Sequence, residues 1–259
     1  MKIITMNLHK GGTGKTTLTY NLADYLAQEN KILVLDQDKS RNLTNLYFGL
    51  KNFEEKHSIV GLYNGLEVQP LHVKENLDVI VGSTATKELK KEILNRRQRE
   101  TLFFRWIGQN ISWLSKYDYI LIDTENAQDD LVENAVIASD LVVGVSQAAD
   151  NSVIAVNSLI NYIHEINQDY DMADVKLAIV GNEIDTIKRP NQPKASKEFL
   201  EVMSNNPNYI GSIQHREIMN QSKTIFEMAQ ENPRFSKLHQ EFIQGLSIIF
   251  DQIKELADE

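Results

Sequence analysis

Five short runs, Lys2–Asn7, Lys31–Asp36, Tyr119–Asp123, Leu141–Val145 and Val175–Val180, are nearly continuous in Ile, Val and Leu instead of alternating with polar residues. That pattern suits strands covered on both faces, so they read as parallel strands of one sheet. Leu77–Val81 is a sixth candidate and Tyr209–Ile213 a seventh. Between the runs the apolar period changes. Leu18, Leu22 and Tyr25 form a helical stripe after the first strand, and Ile154, Leu159 and Ile163 form another after Val145. Strand and helix therefore alternate, which predicts an α/β fold: a doubly wound, mostly parallel sheet flanked by helices. Near the end, Leu238, Phe242, Leu246, Ile249, Ile253 and Leu256 recur every three or four residues behind Pro233, and they predict one long closing helix. No linker rich in Pro, Gly or Ser, no repeat and no low-complexity tract interrupts residues 1–259, so a single domain is expected.

The segment from His9 to Thr17, HKGGTGKTT, falls between the first strand and the first helix, which is the setting a phosphate loop requires. Gly11, Gly12 and Gly14 let successive backbone N–H groups, with those of Thr13 and Thr17, curl around an anion at a helix N-terminus. Lys15 can then reach the terminal phosphates of ATP, and the Thr16 hydroxyl can ligate Mg2+. The general pattern G-x-x-x-x-G-K-[ST] has its first glycine where this chain has His9, and the loop carries an additional lysine, Lys10. A second strand ends in Asp36-Gln37-Asp38, which directs two carboxylates toward the same edge of the sheet. A third ends at Asp123, the first residue of Asp123-Thr124-Glu125-Asn126.

Lys10 within K-G-G-x-G-K-T resembles the deviant Walker A loop of the ParA/MinD superfamily of ATPases, and among these the ParA (Soj-like) partition ATPases most. The resemblance implies an ATP-sandwich homodimer in which Lys10 reaches the nucleotide of the other subunit. Asp36, Asp38, Asn42 and Thr44 match the family's D-x-D-P-Q-x-N-x-T, with Lys39 and Ser40 in place of Pro-Gln. By that match Asp38 orients the attacking water and lies near the metal. The segment ending at Asp123 resembles the Walker B strand, which supports Mg2+ through water, but Glu125 and Asn126 replace the prolines of D-T-P-P. Asn182, after the strand at 175–180, occupies a position at which this group contacts adenine, and its amide offers a donor and an acceptor to a base edge.

Composition narrows what such an ATPase acts on. With no cysteine there are no disulfides, thiolate zinc sites or iron–sulfur clusters, so the nitrogenase-iron-protein-like relatives are excluded. The absence of a long apolar run and of a signal peptide predicts a cytoplasmic protein. A net charge of -9 argues against a uniformly nucleic-acid-coating surface and leaves only local basic faces. The residues between Lys87 and Arg105 hold seven Lys/Arg against three Glu, with Arg96, Arg97 and Arg99 among them. Lys188, Arg189, Arg216 and Lys223 are further candidates for the non-specific DNA binding that the resemblance implies, which would associate the ATP-bound form with the nucleoid. The implied partner is ParB-like or centromere-binding. A MinD-like membrane regulator is the alternative, but its basic C-terminal helix is missing: Asp251, Glu255, Asp258 and Glu259 stand against Lys254 alone. A nucleotide-locked interaction module without turnover is the other alternative.

Overall fold

The computed structural model describes residues 1–149, 151–186 and 192–259. Among them one sheet is built from β1 (Lys2–Asn7), β2 (Ile32–Asp36), β3 (Leu71–Lys74), β4 (Leu77–Ile80), β5 (Tyr119–Asp123), β6 (Leu141–Ser146), β7 (Lys176–Asn182) and β8 (Tyr209–Ile213). Its order is β3-β4-β2-β5-β1-β6-β7-β8. All neighbours are parallel except β3 with β4. The seven anticipated strands are present. β3 was not anticipated: Leu71–Lys74 is short and only partly buried, and it pairs antiparallel at the edge, so it lacks the continuous apolar run of a covered strand.

The helices are α1 (Lys15–Leu26), α2 (Asn42–Phe48), α3 (Ile59–Tyr63), α4 (Thr86–Ile93), α5 (Leu102–Leu114), α6 (Asp130–Ile137), α7 (Ser152–Asp169), α8 (Lys194–Met203), α9 (Ile225–Glu231), α10 (Pro233–Leu238) and α11 (Gln240–Asp258). Successive side chains of a strand face opposite ways, and the core divides accordingly. Ile4, Met6, Val34, Leu121 and Val143 pack with Leu18 and Leu22 of α1 and with Ile249, Phe250 and Ile253 of α11. On the other face Ile3, Leu33, Ile120 and Ile122 meet Leu89 of α4, Phe103 and Trp106 of α5 and Leu131 of α6. There too Val142 and Ile179 meet Leu159 and Ile163 of α7. The sheet is thus doubly wound.

Two helical expectations need correction. The closing helix is broken: α10 ends at Leu238, His239 with its φ of -109° leaves the helical range, and α11 begins beyond it. Leu238 is consequently 77% exposed and takes no part in the stripe. In α7 it is Val156, Leu159, Ile163 and Ile166 that are buried, whereas Ile154 faces outward. No helix among the described residues is long and apolar enough to cross a membrane.

The central strand β1 lies between β5 and β6, where the chain changes the direction in which it adds strands. A crevice opens at the carboxyl ends there, the place where open α/β sheets bind ligands.

Candidate nucleotide-binding site

The loop leaving β1 turns tightly into α1. Gly12 and Gly14 have φ of 72° and 92°, values that side chains with a Cβ adopt only at a cost. A Cβ on Gly14 would also run into the Asn182 side-chain amide. That amide donates to the Thr13 carbonyl at 2.8 Å, tying the end of β7 to the loop. His9, in the position of the missing first glycine, packs its ring on Tyr162 of α7 at 5.7 Å between centroids. The loop thus tolerates His9 because that side chain is received by a neighbouring helix.

Lys15 opens α1 and is only 6% exposed. Its ammonium donates to the Leu8 carbonyl at 3.2 Å and to Asn126 Oδ1. Burial pulls its pKa below the usual lysine range, partly opposed by the charges of Asp123 and Asp38. The Thr16 hydroxyl donates to Asp123 Oδ2 at 2.7 Å. Asp123 is fully buried, and its pKa is pushed up to about 8, first by burial and then by the neighbouring Asp36, with Thr16 and Lys15 pulling the other way. The two aspartates are direct cross-strand partners, Asp36 on β2 opposite Asp123 on β5.

Asp36 and Asp38 have separate tasks. Asp36 is wholly enclosed, and its Oδ2 accepts from the Thr44 amide at 2.9 Å and the Thr44 hydroxyl at 2.7 Å, fixing the start of α2. Thr44 Oγ1 in turn accepts from the Gly82 amide at 2.8 Å. Burial raises Asp36 to about 6. Asp38 is partly exposed and lines the crevice. Its Oδ1 accepts from the Ser40 amide at 2.8 Å, an Asx turn that closes the loop without the proline and glutamine of the related pattern.

Residues 12–17, Asp38 and Asn42 line one cleft of about 360 Å³, together with Thr124, Asn126, Gln147, Glu183 and Asn220. A smaller recess beside Gly14 and Thr17 is walled by Asn182, Glu183, Gln214 and Arg216. Gln147 and Glu183 are not among the residues anticipated from the sequence, although each directly follows a strand end, the signal that marks them. Asn220 comes from the turn Glu217–Asn220 and carries no such signal.

The donor set suits a nucleotide with Mg2+. Thr13 Oγ1 is buried with no hydrogen-bond partner, and the space above Gly12 is open. Among the described residues no group of three or more His, Asp, Glu or Cys could hold a metal alone. One hydroxyl and one carboxylate, Thr16 and Asp123, are what Mg2+ uses when phosphates and waters complete its shell.

The basic candidates scatter in role. Arg96 donates to the Tyr63 carbonyl and, at 2.9 Å, to Asn64 Oδ1, so its guanidinium holds α3 to the end of α4. Arg99 pairs with Asp130 at 3.3 Å. Lys223 pairs with Glu231, and Arg216 lies over the Phe242 ring at 5.8 Å. Arg97 is exposed. Lys188 and Arg189 lie outside the described residues. Lys10 donates to Ser152 Oγ at 3.2 Å, so in the single chain it is turned toward the start of α7.

Comparison with known proteins agrees with this architecture. The AAA domain family matches residues 1–179. The sporulation initiation inhibitor protein Soj of Bacillus subtilis is 28% identical over 172 residues, 64% of this chain and 66% of Soj. The chain belongs to the AAA domain family and is a ParA-like member of the ParA/MinD superfamily. A putative plasmid partition protein from Borrelia burgdorferi bound to AMPPNP superposes with a TM-score of 0.79 at 21% identity, covering 98% of each chain. An ATP complex of Cyanothece McdA gives 0.80 at 17% identity, covering 99% of this chain and 96% of that one. At such identities these last two likenesses are of fold. The ParA-like chain thus shares its fold with proteins seen holding ATP or an analogue.

Proposed function

We propose that this ParA-like chain, acting as one domain, is a DNA-partition ATPase that hydrolyses ATP to ADP and phosphate. The observation that carries the reading is the loop of residues 9–17, where the buried Lys15 and the Thr16 hydroxyl, bonded to Asp123, line one cleft, and a second lysine of the same loop, Lys10, is held by Ser152. In this reading backbone N–H groups of Gly11 to Thr17 and Lys15 grip the phosphates, Asn182 meets the adenine, and Asp38 orients the attacking water. Thr16, and through water Asp38 and Asp123, would hold Mg2+, which when bound would supply neutralisation of the phosphate charge. Lys10 leaves Ser152 and crosses to the nucleotide of the second subunit, where a cation stabilises charge moving onto the leaving group, as an arginine finger does. ATP thereby closes a homodimer.

The dimer doubles each exposed basic residue, Arg97 among them, and holds DNA without sequence preference until a ParB-like or centromere-binding partner speeds hydrolysis and releases it. Hydrolysis alone is slow, since a monomer lacks the crossing lysine. The test is retention on non-specific DNA with ATP, ADP or no nucleotide, for the native chain and Lys10→Ala at several salt concentrations. Retention that needs ATP and Lys10 and falls steeply with salt supports the reading; equal retention in all arms contradicts it.

One observation favours a second reading, an interaction module that binds ATP without turnover. Lys15 is already engaged by Asn126, from the segment that departs from D-T-P-P. Phosphate release that stays at background with both DNA and partner present would select it.

A further inference from the structure

Glu125 follows the buried Asp123-Thr124 pair, and its side chain is only 8% exposed. A buried carboxylate needs cationic partners. Two approach it from different elements. Lys90, on α4, pairs with Glu125 Oε1 and also reaches Asp129 Oδ2 at 2.6 Å. Lys39, in the loop after β2, lies 3.5 Å from Glu125 Oε2.

The sheet register dictates the meeting of the two loops. Asp36 and Asp123 are cross-strand partners, and the ladder continues with the Gln37 amide donating to the Asp123 carbonyl at 2.9 Å. Two residues beyond the paired aspartates stand Asp38 on one chain segment and Glu125 on the other, with Lys39 next in line. Of the three positions at which a proline of the related patterns is lost, Lys39, Glu125 and Asn126, the first two carry opposite charges and meet at 3.5 Å. Proline would stiffen each loop separately by fixing φ. Here the Lys39–Glu125 pair joins the loops that follow the neighbouring strands β2 and β5.

The partners are unequal. The Lys90 side chain is 22% exposed and that of Lys39 61% exposed. Lys90 therefore keeps the buried charge neutralised, while the solvent-screened Lys39 contact adds little to folding. What it adds is a tether immediately after Asp38, whose carboxylate forms the Asx turn with Ser40. We propose that Lys39 is a positioning residue: by pairing with Glu125 it holds the Asp38 turn at the orientation needed for water, and Lys90 presets Glu125 for that contact. The proposal rests on the ATPase reading only for its catalytic arm.

The experiment compares the native chain with Lys39→Ala and Lys39→Arg in three measurements: amide exchange of residues 38–41 without nucleotide, equilibrium binding of a fluorescent ATP analogue, and hydrolysis. The expected result is faster exchange at Ser40 and Arg41 in Lys39→Ala, unchanged analogue affinity, hydrolysis lower by roughly three- to ten-fold, and recovery in Lys39→Arg. Unaltered exchange in Lys39→Ala overturns the proposal. So does a fall in hydrolysis matched by an equal loss of analogue affinity. A native chain that neither binds nor hydrolyses ATP removes the ATPase reading instead, and the exchange arm still decides whether Lys39 holds the turn.

Discussion

Lys15 and Gly14 carry most of what the phosphate loop can do. Lys15 is a buried cation that donates to two neutral oxygens, the Leu8 carbonyl and Asn126 Oδ1, so it is primed for an anion that brings stronger partners. Gly14 is required twice, by its φ of 92° and by the Asn182 amide beside it. Gly14→Ala should therefore abolish nucleotide binding and destabilise the chain by about 1–3 kcal/mol, measured by analogue titration and by denaturant unfolding. At this scale the sequence was informative where one segment forms the site and uninformative where distant segments meet. The loop itself was legible in nine residues. The Asn126 contact to Lys15 and the Lys90 contact to Glu125 were not, because each joins segments dozens of residues apart whose approach depends on sheet order. Arg96 read as a surface charge because nothing in a basic run reveals that the Tyr63 carbonyl lies within its reach.

At the scale of elements, the ends of β2 and β5 place two buried carboxylates side by side, Asp36 raised to about 6 and Asp123 to about 8. An acid whose pKa is higher folded than unfolded binds its proton more tightly in the native state. Its contribution to stability is present below the unfolded value of 3.8 and is lost as pH rises through about 6 for Asp36 and about 8 for Asp123. The nucleotide-free, metal-free chain should thus melt at falling temperature as pH goes from 6 to 8.5, and Asp123→Asn should flatten the upper part of that profile. A native chain as stable at 8.5 as at 6 would contradict this. The strands themselves were legible because burial on both faces leaves continuous apolar runs, as in β5. β3 escaped because an edge strand needs no such run, and the break at His239 escaped because the apolar spacing continues across it.

For the whole molecule, a net charge of -9 means that the proposed DNA binding would rest on local faces brought together by the proposed dimerisation and not on overall attraction. The proposed partition ATPase requires that two chains close on ATP with each Lys10 serving the other's nucleotide. Mixing two inactive variants tests it most directly. In a pair made of Lys10→Ala and Asp38→Ala, the nucleotide site of the Lys10→Ala subunit keeps its own Asp38 and receives Lys10 from the other subunit. If Lys10 acts across the interface, an equal mixture should recover about a quarter of the native hydrolysis rate, although each variant alone is inactive. A mixture as inactive as its components would show that Lys10 does not act across the interface.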